Sequence, residues 1–281
     1  MISSTFNIGG QLQVNRLGFG AMRLCGQPGN FGRYPCWEDG IALLRRAREL
    51  GVNLFDTAEA YGPGWNEELI AEALHPYVAN DGSRVVITTK GGVLKSSPTE
   101  IRANGHPLAL RQSCDASLRR LRVDCIDLYQ LHRPDPHVPW TDSVGAMAEL
   151  RNIGKIRLVG VSNVSLEQLD DAVRVVPIAS VQNRFNVNEQ SSNAVLNYCT
   201  QHNIAFFPWG PLGAQPFAPE APLASASQSR EIDELAQEQG LTSAQASLLW
   251  LLRRAPNIIP IPGTTNPVHL NENVGVLKCC S

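Results

Sequence analysis

The sequence predicts an α/β fold in which eight strand-and-helix units close into one (β/α)8 TIM barrel. Short apolar runs alternate with amphipathic stretches along residues 1–281, and no linker separates them, so a single domain is expected. Only 18% of the residues are charged, which indicates a large buried interior. A doubly wound sheet is the rival fold. It is disfavoured because Gly18-Phe19-Gly20 runs into a loop instead of the helix of a dinucleotide-binding fingerprint.

A β-hairpin is expected before the first unit, within residues 1–14. Residues 5–8 and 11–14 alternate apolar and polar positions around Gly9-Gly10, and this hairpin would cap the bottom of the barrel. Each barrel strand is then expected at a short apolar run. The predicted strands cover residues 17–19, 52–55, 85–89, 125–131, 156–161, 178–182, 204–208 and 257–261.

Helices are expected between these strands. Apolar residues recur every three or four positions from 41 to 50, and Gly51 stands where a helix-ending residue belongs. Thr242 and Gln245 form a capping box for a Leu-rich helix, and Pro256 follows its end. Residues 214–229 are rich in Ala, Pro, Ser and Gln, which predicts a loop over the barrel mouth.

The composition and net charge of the chain disfavour several classes of binding partner. A net charge of -2 and the absence of a basic cluster disfavour nucleic acid and membrane surfaces. No apolar run approaches the roughly 18–20 residues that span a bilayer, and no signal peptide is recognisable. The seven cysteines are scattered, which disfavours disulfides and metal sites and is typical of a reducing compartment. A cytoplasmic monomer or weak homo-oligomer is expected.

Four residues that can hold or move a proton occur at or near the ends of predicted strands. Asp56, Lys90 and His132 each close an apolar run, and Tyr61 follows Asp56 at a helical-turn distance. The carboxyl ends of parallel barrel strands meet at one mouth, so these side chains are expected to converge there. The pattern indicates an enzyme with proton-assisted chemistry.

These four residues have chemical properties that would let them act together as one catalytic group. A phenol titrates near 10, so Tyr61 needs a neighbouring cation to donate its proton readily, and Lys90 can supply that charge. Asp56 would be the counter-ion of Lys90, and His132 would donate a hydrogen bond to a carbonyl oxygen. Each residue alone also has an ordinary structural interpretation, as a rim lysine, a core histidine or a packed tyrosine. The joint pattern favours catalysis.

The chain resembles the aldo-keto reductase superfamily over nearly its whole length. The motifs that carry the resemblance occur in the family's order: F-D-T-A-E-A-Y-G, I-T-T-K, L-R-R-L-R-V-D-C-I-D-L-Y-Q-L-H, G-K-I-R-L-V-G-V-S-N, V-Q-N-R-F-N, W-G-P-L-G and I-P-G-T-T-N-P-V-H-L-N-E-N. The resemblance implies hydride transfer from NADPH to an aldehyde or ketone. It places the catalytic tetrad on Asp56, Tyr61 (the general acid), Lys90 and His132. Within the superfamily, the chain is similar to bacterial pyridoxal reductase-like members.

The resemblance also implies a cofactor site. Ser162 and Asn163 match the pair that binds the nicotinamide carboxamide, Gln182 stands at the corresponding strand end, and Trp209 matches a ring that stacks on the nicotinamide. Gly263, Thr264 and Thr265 precede Pro267, the expected first residue of a short helix whose N-terminus would bind an adenosine phosphate. The other implied contacts are Gly20, Ala21, Met22, Asp56, Gly210, Pro211, Leu212, Gly213, His269, Glu272 and Asn273.

Two departures from the family pattern concern the cofactor phosphate. Gly263 stands where the family has a lysine, and His269 stands where it has an arginine. Both cations normally hold the 2′-phosphate, and charge-assisted contacts are the stronger ones. NADPH is therefore expected as the preferred cofactor with modest discrimination, and NADH remains possible.

A third departure is the short tail at residues 274–281, where family members continue through another helix and often a substrate-covering loop. Either a truncation or an unusually open pocket is expected. Mouth residues such as Phe31, Trp65, Arg133 and Phe217 would then shape the substrate site, with no role assigned to any of them.

Two alternatives to a carbonyl reductase stay open at this stage. Lys90 could form a Schiff base in a barrel lyase. A barrel with an intact tetrad could also bind NADPH without catalysis and report redox state to a partner. The tetrad and the cofactor motifs together favour a reductase acting on a small carbonyl compound, which includes pyridoxal-like molecules.

Overall fold

The computed structural model describes residues 3–80, 82–213 and 229–280. Its central parallel sheet has the order β3-β4-β5-β8-β9-β10-β11 and confirms the predicted α/β barrel. The strands are β1 (Thr5–Ile8), β2 (Leu12–Asn15), β3 (Phe19–Gly20), β4 (Leu54–Asp56), β5 (Val86–Gly91), β6 (Val93–Lys95), β7 (Ile101–Ala103), β8 (Ile126–Leu131), β9 (Ile156–Ser162), β10 (Ile178–Gln182) and β11 (Ala205–Phe206). The helices are α1 (Trp37–Glu49), α2 (Trp65–Leu74), α3 (Pro107–Leu121), α4 (Trp140–Asn152), α5 (Leu166–Val175), α6 (Asn193–Gln201), α7 (Arg230–Gln239), α8 (Ser243–Arg254) and α9 (Pro267–Gly275).

The eighth predicted strand closes the barrel without forming a regular strand. It meets β11 through an isolated parallel bridge at Ile258. On its other side, the N–H groups of Gly18 and Gly20 donate to the carbonyls of Pro260 and Pro262 at 2.9 and 3.2 Å. Proline has no N–H to donate to a ladder, so this segment can only accept hydrogen bonds at those two positions.

The amino-terminal hairpin closes the bottom of the barrel, as predicted. Strands β1 and β2 pair antiparallel, with Ile8 opposite Leu12. Ile8, Leu12 and Val14 are buried and pack against side chains from the barrel strands. Those side chains are Leu54, Val86, Leu128, Leu158, Ala179, Ala205, Phe207, Ile259 and Ile261.

Several strand limits differ from the prediction. Asp56 and Lys90 lie inside β4 and β5, because sheet hydrogen bonds continue past the last apolar residue of each run. The antiparallel pair of β6 and β7 was not predicted at all. Its strands have three residues each, which is too short to show an alternating pattern.

The local helix signals are confirmed. Gly51 follows α1 with φ +94°, and the capping box at Thr242 opens α8. Pro267 is the first residue of α9, which Asn266 caps by accepting the N–H of Val268 at 2.9 Å. The predicted loop at 214–229 lies outside the described residues except for Ser229, which caps α7. Part of the predicted tail belongs to α9, and residues 276–280 form a 3-10 helix.

Neither a membrane-spanning helix nor a metal-binding group is found among the described residues. None of their helices is both long enough and apolar enough to cross a membrane. No three His, Cys, Asp or Glu side chains among them group around a possible metal position. Six cysteines are free thiols: Cys25, Cys36, Cys114, Cys125, Cys199 and Cys279.

Arg16 holds the two ends of the barrel sheet together in a way the sequence did not reveal. Its side chain is buried, and the guanidinium donates to the carbonyls of Ile258 at 3.1 Å, Leu252 at 3.0 Å and Ala255 at 2.6 Å. Leu252 and Ala255 lie at the carboxyl end of α8, where helix carbonyls lack partners and the helix dipole favours a cation. Arg16 therefore caps α8 and anchors the eighth segment beside the first strand.

Replacing Arg16 with methionine should lower the free energy of unfolding by about 3 kcal/mol, since hydrogen bonds to a charged group are lost and buried carbonyls stay unpaired. Urea unfolding followed by circular dichroism measures the change. Arg253→Met, at an exposed position near the end of the same helix, is the matched control. Equal stability of the two variants would contradict this role of Arg16.

Candidate active site

Asp56 and Lys90 form a buried ion pair at the upper ends of neighbouring strands. Lys90 Nζ donates to both carboxylate oxygens of Asp56 and to the carbonyl of Thr57, each at 2.8 Å. Gln182, at the end of β10, donates from Nε2 to Asp56 Oδ1 at 2.9 Å across the barrel. Burial lowers the pKa of Lys90, and the charge of Asp56 opposes that shift. The pair is thus enclosed and fully hydrogen-bonded on the lysine side.

Tyr61 and His132 lie together above this ion pair. Their rings meet edge to face with centroids 5.9 Å apart, and Lys90 Nζ lies 5.2 Å from the centre of the Tyr61 ring. Lys90 is a neighbouring cation of Tyr61 but makes no hydrogen bond to its hydroxyl. The physical reason is that Asp56 and Thr57 accept all three of its N–H groups.

Burial sets the protonation of both aromatic residues. It raises the pKa of Tyr61 well above 10, the charge of Asp56 adds to this, and the charge of Arg133 opposes it. Burial, followed by the charges of Lys90 and Arg133, lowers the pKa of His132 well below its ordinary range. At neutral pH, Tyr61 therefore keeps its proton and His132 is an uncharged imidazole.

A cavity of about 620 Å³ opens beside these two residues. Its size is within the usual range for small-molecule and cofactor sites. The Nδ1 atom of His132 is buried without a partner among the described residues, so the ring meets the cavity through Nε2. The cavity is lined by Gly20, Met22, Arg23, Asp56, Tyr61, His132, Arg133, Pro134, Ser162, Asn163, Gln168, Gln182, Trp209, Gly210, Pro211, Leu212, Ile261, Pro262 and Gly263.

Ser162, Asn163 and Trp209 line this cavity but already have protein partners. Ser162 Oγ donates to the carbonyl of Gln182 at 2.7 Å, and Asn163 Nδ2 donates to the carbonyl of His132 at 3.0 Å. Trp209 Nε1 donates to Asn163 Oδ1 at 3.0 Å. These bonds join the ends of three barrel strands and hold the indole ring against the cavity.

The residues predicted for the adenosine phosphate run along the chain from the cavity wall into the start of α9. Gly263 is on the cavity wall, whereas Thr265 and His269 are exposed and do not line it. Thr264 Oγ1 accepts the N–H of Asn266 at 3.0 Å, within the turn that opens the helix. Five further predicted contacts also lie off the described cavity wall: Ala21, Gly213, Thr264, Glu272 and Asn273.

Sequence reasoning missed five residues of the wall: Arg23, Pro134, Gln168, Ile261 and Pro262. Most of them are next to a predicted residue in the chain. Their position beside a strand end could therefore have identified them. Of the mouth residues that were expected to shape the substrate site, one is found on the described cavity wall. Arg133 lines the described cavity, Phe31 and Trp65 do not, and Phe217 lies outside the described residues.

A family model described as the aldo/keto reductase family matches residues 16–279. The chain belongs to the aldo/keto reductase family. It is 41% identical over 265 residues to an uncharacterised oxidoreductase of Schizosaccharomyces pombe, covering 94% of this chain and 82% of that protein. It is 36% identical over 284 residues to pyridoxine 4-dehydrogenase of Escherichia coli, covering 99% and 94% of the two chains.

The fold of this family member also matches solved relatives. An aldo/keto reductase from Klebsiella pneumoniae, crystallised in complex with NADP and acetate, superposes with a TM-score of 0.76 at 28% identity. The match covers 98% of this chain and 90% of that one. The family and barrel predicted from the motifs are therefore confirmed.

Proposed function

We propose that this aldo/keto reductase is an NADPH-dependent oxidoreductase that reduces an aldehyde or ketone to the alcohol. The observation that carries the proposal is the pairing of protonated Tyr61 with neutral His132 on the wall of one cavity, above the buried Lys90 and Asp56. The Klebsiella pneumoniae relative supports the cofactor, since its crystals contain NADP. Pyridoxine 4-dehydrogenase supports a small carbonyl or alcohol as the reacting partner.

The cavity wall fits a flat nicotinamide ring. Gly20 leaves the wall without a side chain, and a Cβ there would lie 2.6 Å from the carbonyl oxygen of Ile261. A Cβ at Gly263 would likewise lie too close to the carbonyl oxygen of Gly20, so backbone atoms form this part of the wall. Trp209 presents an indole to the same cavity, a ring suited to stacking. Gln182 is another predicted contact on the same wall.

When bound, the reduced nicotinamide supplies a hydride to the carbonyl carbon. His132 orients the substrate by donating from Nε2 to the carbonyl oxygen, as an uncharged donor. Tyr61 gives its phenolic proton to the same oxygen, which completes the alcohol, and solvent returns a proton to the phenolate. Lys90 and Arg133 stabilise that transient phenolate, Lys90 from beside the ring and Arg133 by its charge.

The direct assay follows NADPH absorbance at 340 nm with a panel of carbonyl compounds that includes pyridoxal. Consumption of NADPH with formation of an equal amount of alcohol is expected for at least one compound. Tight NADPH binding without oxidation by any carbonyl would indicate a redox sensor instead. Borohydride trapping of substrate on Lys90 without nicotinamide would indicate a lyase. The three hydrogen bonds of Lys90 Nζ and its absence from the described cavity wall argue against that chemistry.

A modest preference for NADPH over NADH is predicted. Gly263 offers no charge, and His269 is an exposed imidazole in place of the family's arginine. His269→Arg should therefore raise the ratio of kcat/KM for NADPH to that for NADH by about tenfold, since it adds a charge-assisted contact to the 2′-phosphate. Steady-state kinetics with both cofactors measures the ratio. His202→Arg, at an exposed site on another helix end, is the control. No change in the ratio would contradict the assigned phosphate position.

A further inference from the structure

The wall of the cavity carries more positive charge than its own carboxylate balances. Its charged wall residues are Arg23, Asp56 and Arg133. Lys90 neutralises Asp56 through two hydrogen bonds, and His132 is uncharged at neutral pH. Two arginines therefore remain without a compensating carboxylate on the described wall.

Arg133 is the arginine on the substrate side. It directly follows His132, which is expected at the carbonyl oxygen, and it is half-buried beside Pro134. Arg23, in contrast, follows Gly20, Ala21 and Met22, which are predicted cofactor contacts. The charge of Arg133 also influences both Tyr61 and His132, so it lies near the reacting groups.

The guanidinium of Arg133 lacks protein partners among the described residues. It forms no salt bridge with them, and its Nε atom is buried without a hydrogen bond. Arg120, by comparison, is paired with Glu67 at 2.7 Å and with Glu59 at 3.6 Å. A buried donor left unpaired is costly, so an arginine in this state on a cavity wall is suited to a ligand that completes its bonds.

We propose that Arg133 binds a carboxylate of the substrate, so that the preferred substrates are aldehydes or ketones that also carry a carboxylate. This inference rests on the proposed carbonyl reduction. A guanidinium matches a carboxylate in its two-pronged geometry, and the single charge of Arg133 on the substrate side balances the single charge of a carboxylate. Gln168 lines the same cavity, and its Oε1 already accepts from Ser165, which leaves its Nε2 as a further donor.

The test compares two aldehydes with the same aromatic framework, the anion 4-formylbenzoate and its uncharged methyl ester, with NADPH as cofactor. The wild-type protein should show a higher kcat/KM for the carboxylate. Arg133→Gln should lower the carboxylate-to-ester ratio of kcat/KM by about tenfold or more, because one charge-assisted pair is lost. Arg133→Lys should keep part of the preference, since it retains charge but not the planar fork. Arg253→Gln is the matched control at an exposed position off the described cavity wall.

The outcomes separate this inference from the proposed function. If the wild-type protein reduces the ester as well as the carboxylate, or if Arg133→Gln leaves the ratio unchanged, the inference is wrong and the reductase stands. Preference for glyceraldehyde 3-phosphate over glyceraldehyde, without preference for the carboxylate, also overturns it. If neither aldehyde nor any carbonyl compound of the 340 nm panel is reduced, the proposed function fails. Binding of benzoate against benzamide, read from tryptophan fluorescence, then tests Arg133 alone: an equal affinity for both, or a preference that Arg133→Gln preserves, overturns the inference.

Discussion

Replacement of Tyr61 with phenylalanine should reduce kcat for carbonyl reduction by a factor of about 10²–10⁴, the usual contribution of a general acid. The phenyl ring can keep the edge-to-face contact with His132 and the position over Lys90 Nζ, so the cavity keeps its shape. Only the proton donor is lost. The dissociation constant of NADPH should therefore stay nearly unchanged while turnover falls.

The measurement pairs steady-state kinetics with NADPH titration by fluorescence. Tyr198→Phe removes a hydroxyl from α6, off the described cavity wall, and serves as the matched control. Turnover in the Tyr61 variant equal to that of the control would remove Tyr61 from the mechanism. A parallel loss of cofactor binding would instead assign it to the binding site.

Replacement of Lys90 with methionine should destabilise the protein by about 3–5 kcal/mol, because it leaves the buried carboxylate of Asp56 without its cation. Lys90 is fully enclosed, and Gln182 would remain the side-chain donor to Asp56. Activity should fall in the same variant, since a charge that stabilises the Tyr61 phenolate is lost. Urea unfolding at neutral pH measures the stability.

The double variant Lys90→Met, Asp56→Asn tests the cause of that loss. Removing both charges should restore part of the stability, since the uncompensated buried carboxylate disappears. Arg174→Met supplies the exposed comparison, because its partner Asp170 is at the surface, and it should cost less than about 1 kcal/mol. A double variant less stable than Lys90→Met would contradict the ion-pair explanation.

The parts of the fold that local chemistry determines could be predicted from the sequence. The hairpin at Gly9-Gly10, the end of α1 before Gly51 and the capping box of Thr242 depend on residues close in the chain. The pairing of β6 with β7 could not be predicted, because strands this short show no periodicity. The irregular eighth segment follows from Pro260 and Pro262, whose missing N–H groups the apolar pattern conceals.

The convergence of the tetrad could be predicted because parallel strand ends share one mouth. The pairing of Lys90 with Asp56 could be predicted from their opposite charges. The further hydrogen bond from Lys90 Nζ to the carbonyl of Thr57 could not, because it depends on distances across the barrel and not on spacing in the chain. The carbonyl contacts of Arg16 and the unpartnered Nε of Arg133 are likewise results of three-dimensional packing.

Transfer of deuterium from NADPH labelled at both C4 positions of the nicotinamide tests the central claim most directly. The assay uses a carbonyl compound found active in the 340 nm panel, and mass spectrometry of the product alcohol locates the label. Hydride transfer in this cavity predicts a single deuterium on the carbinol carbon, strongly reduced in amount with Tyr61→Phe. Alcohol without deuterium at that carbon, or an equal yield from the Tyr61 variant, would contradict the account.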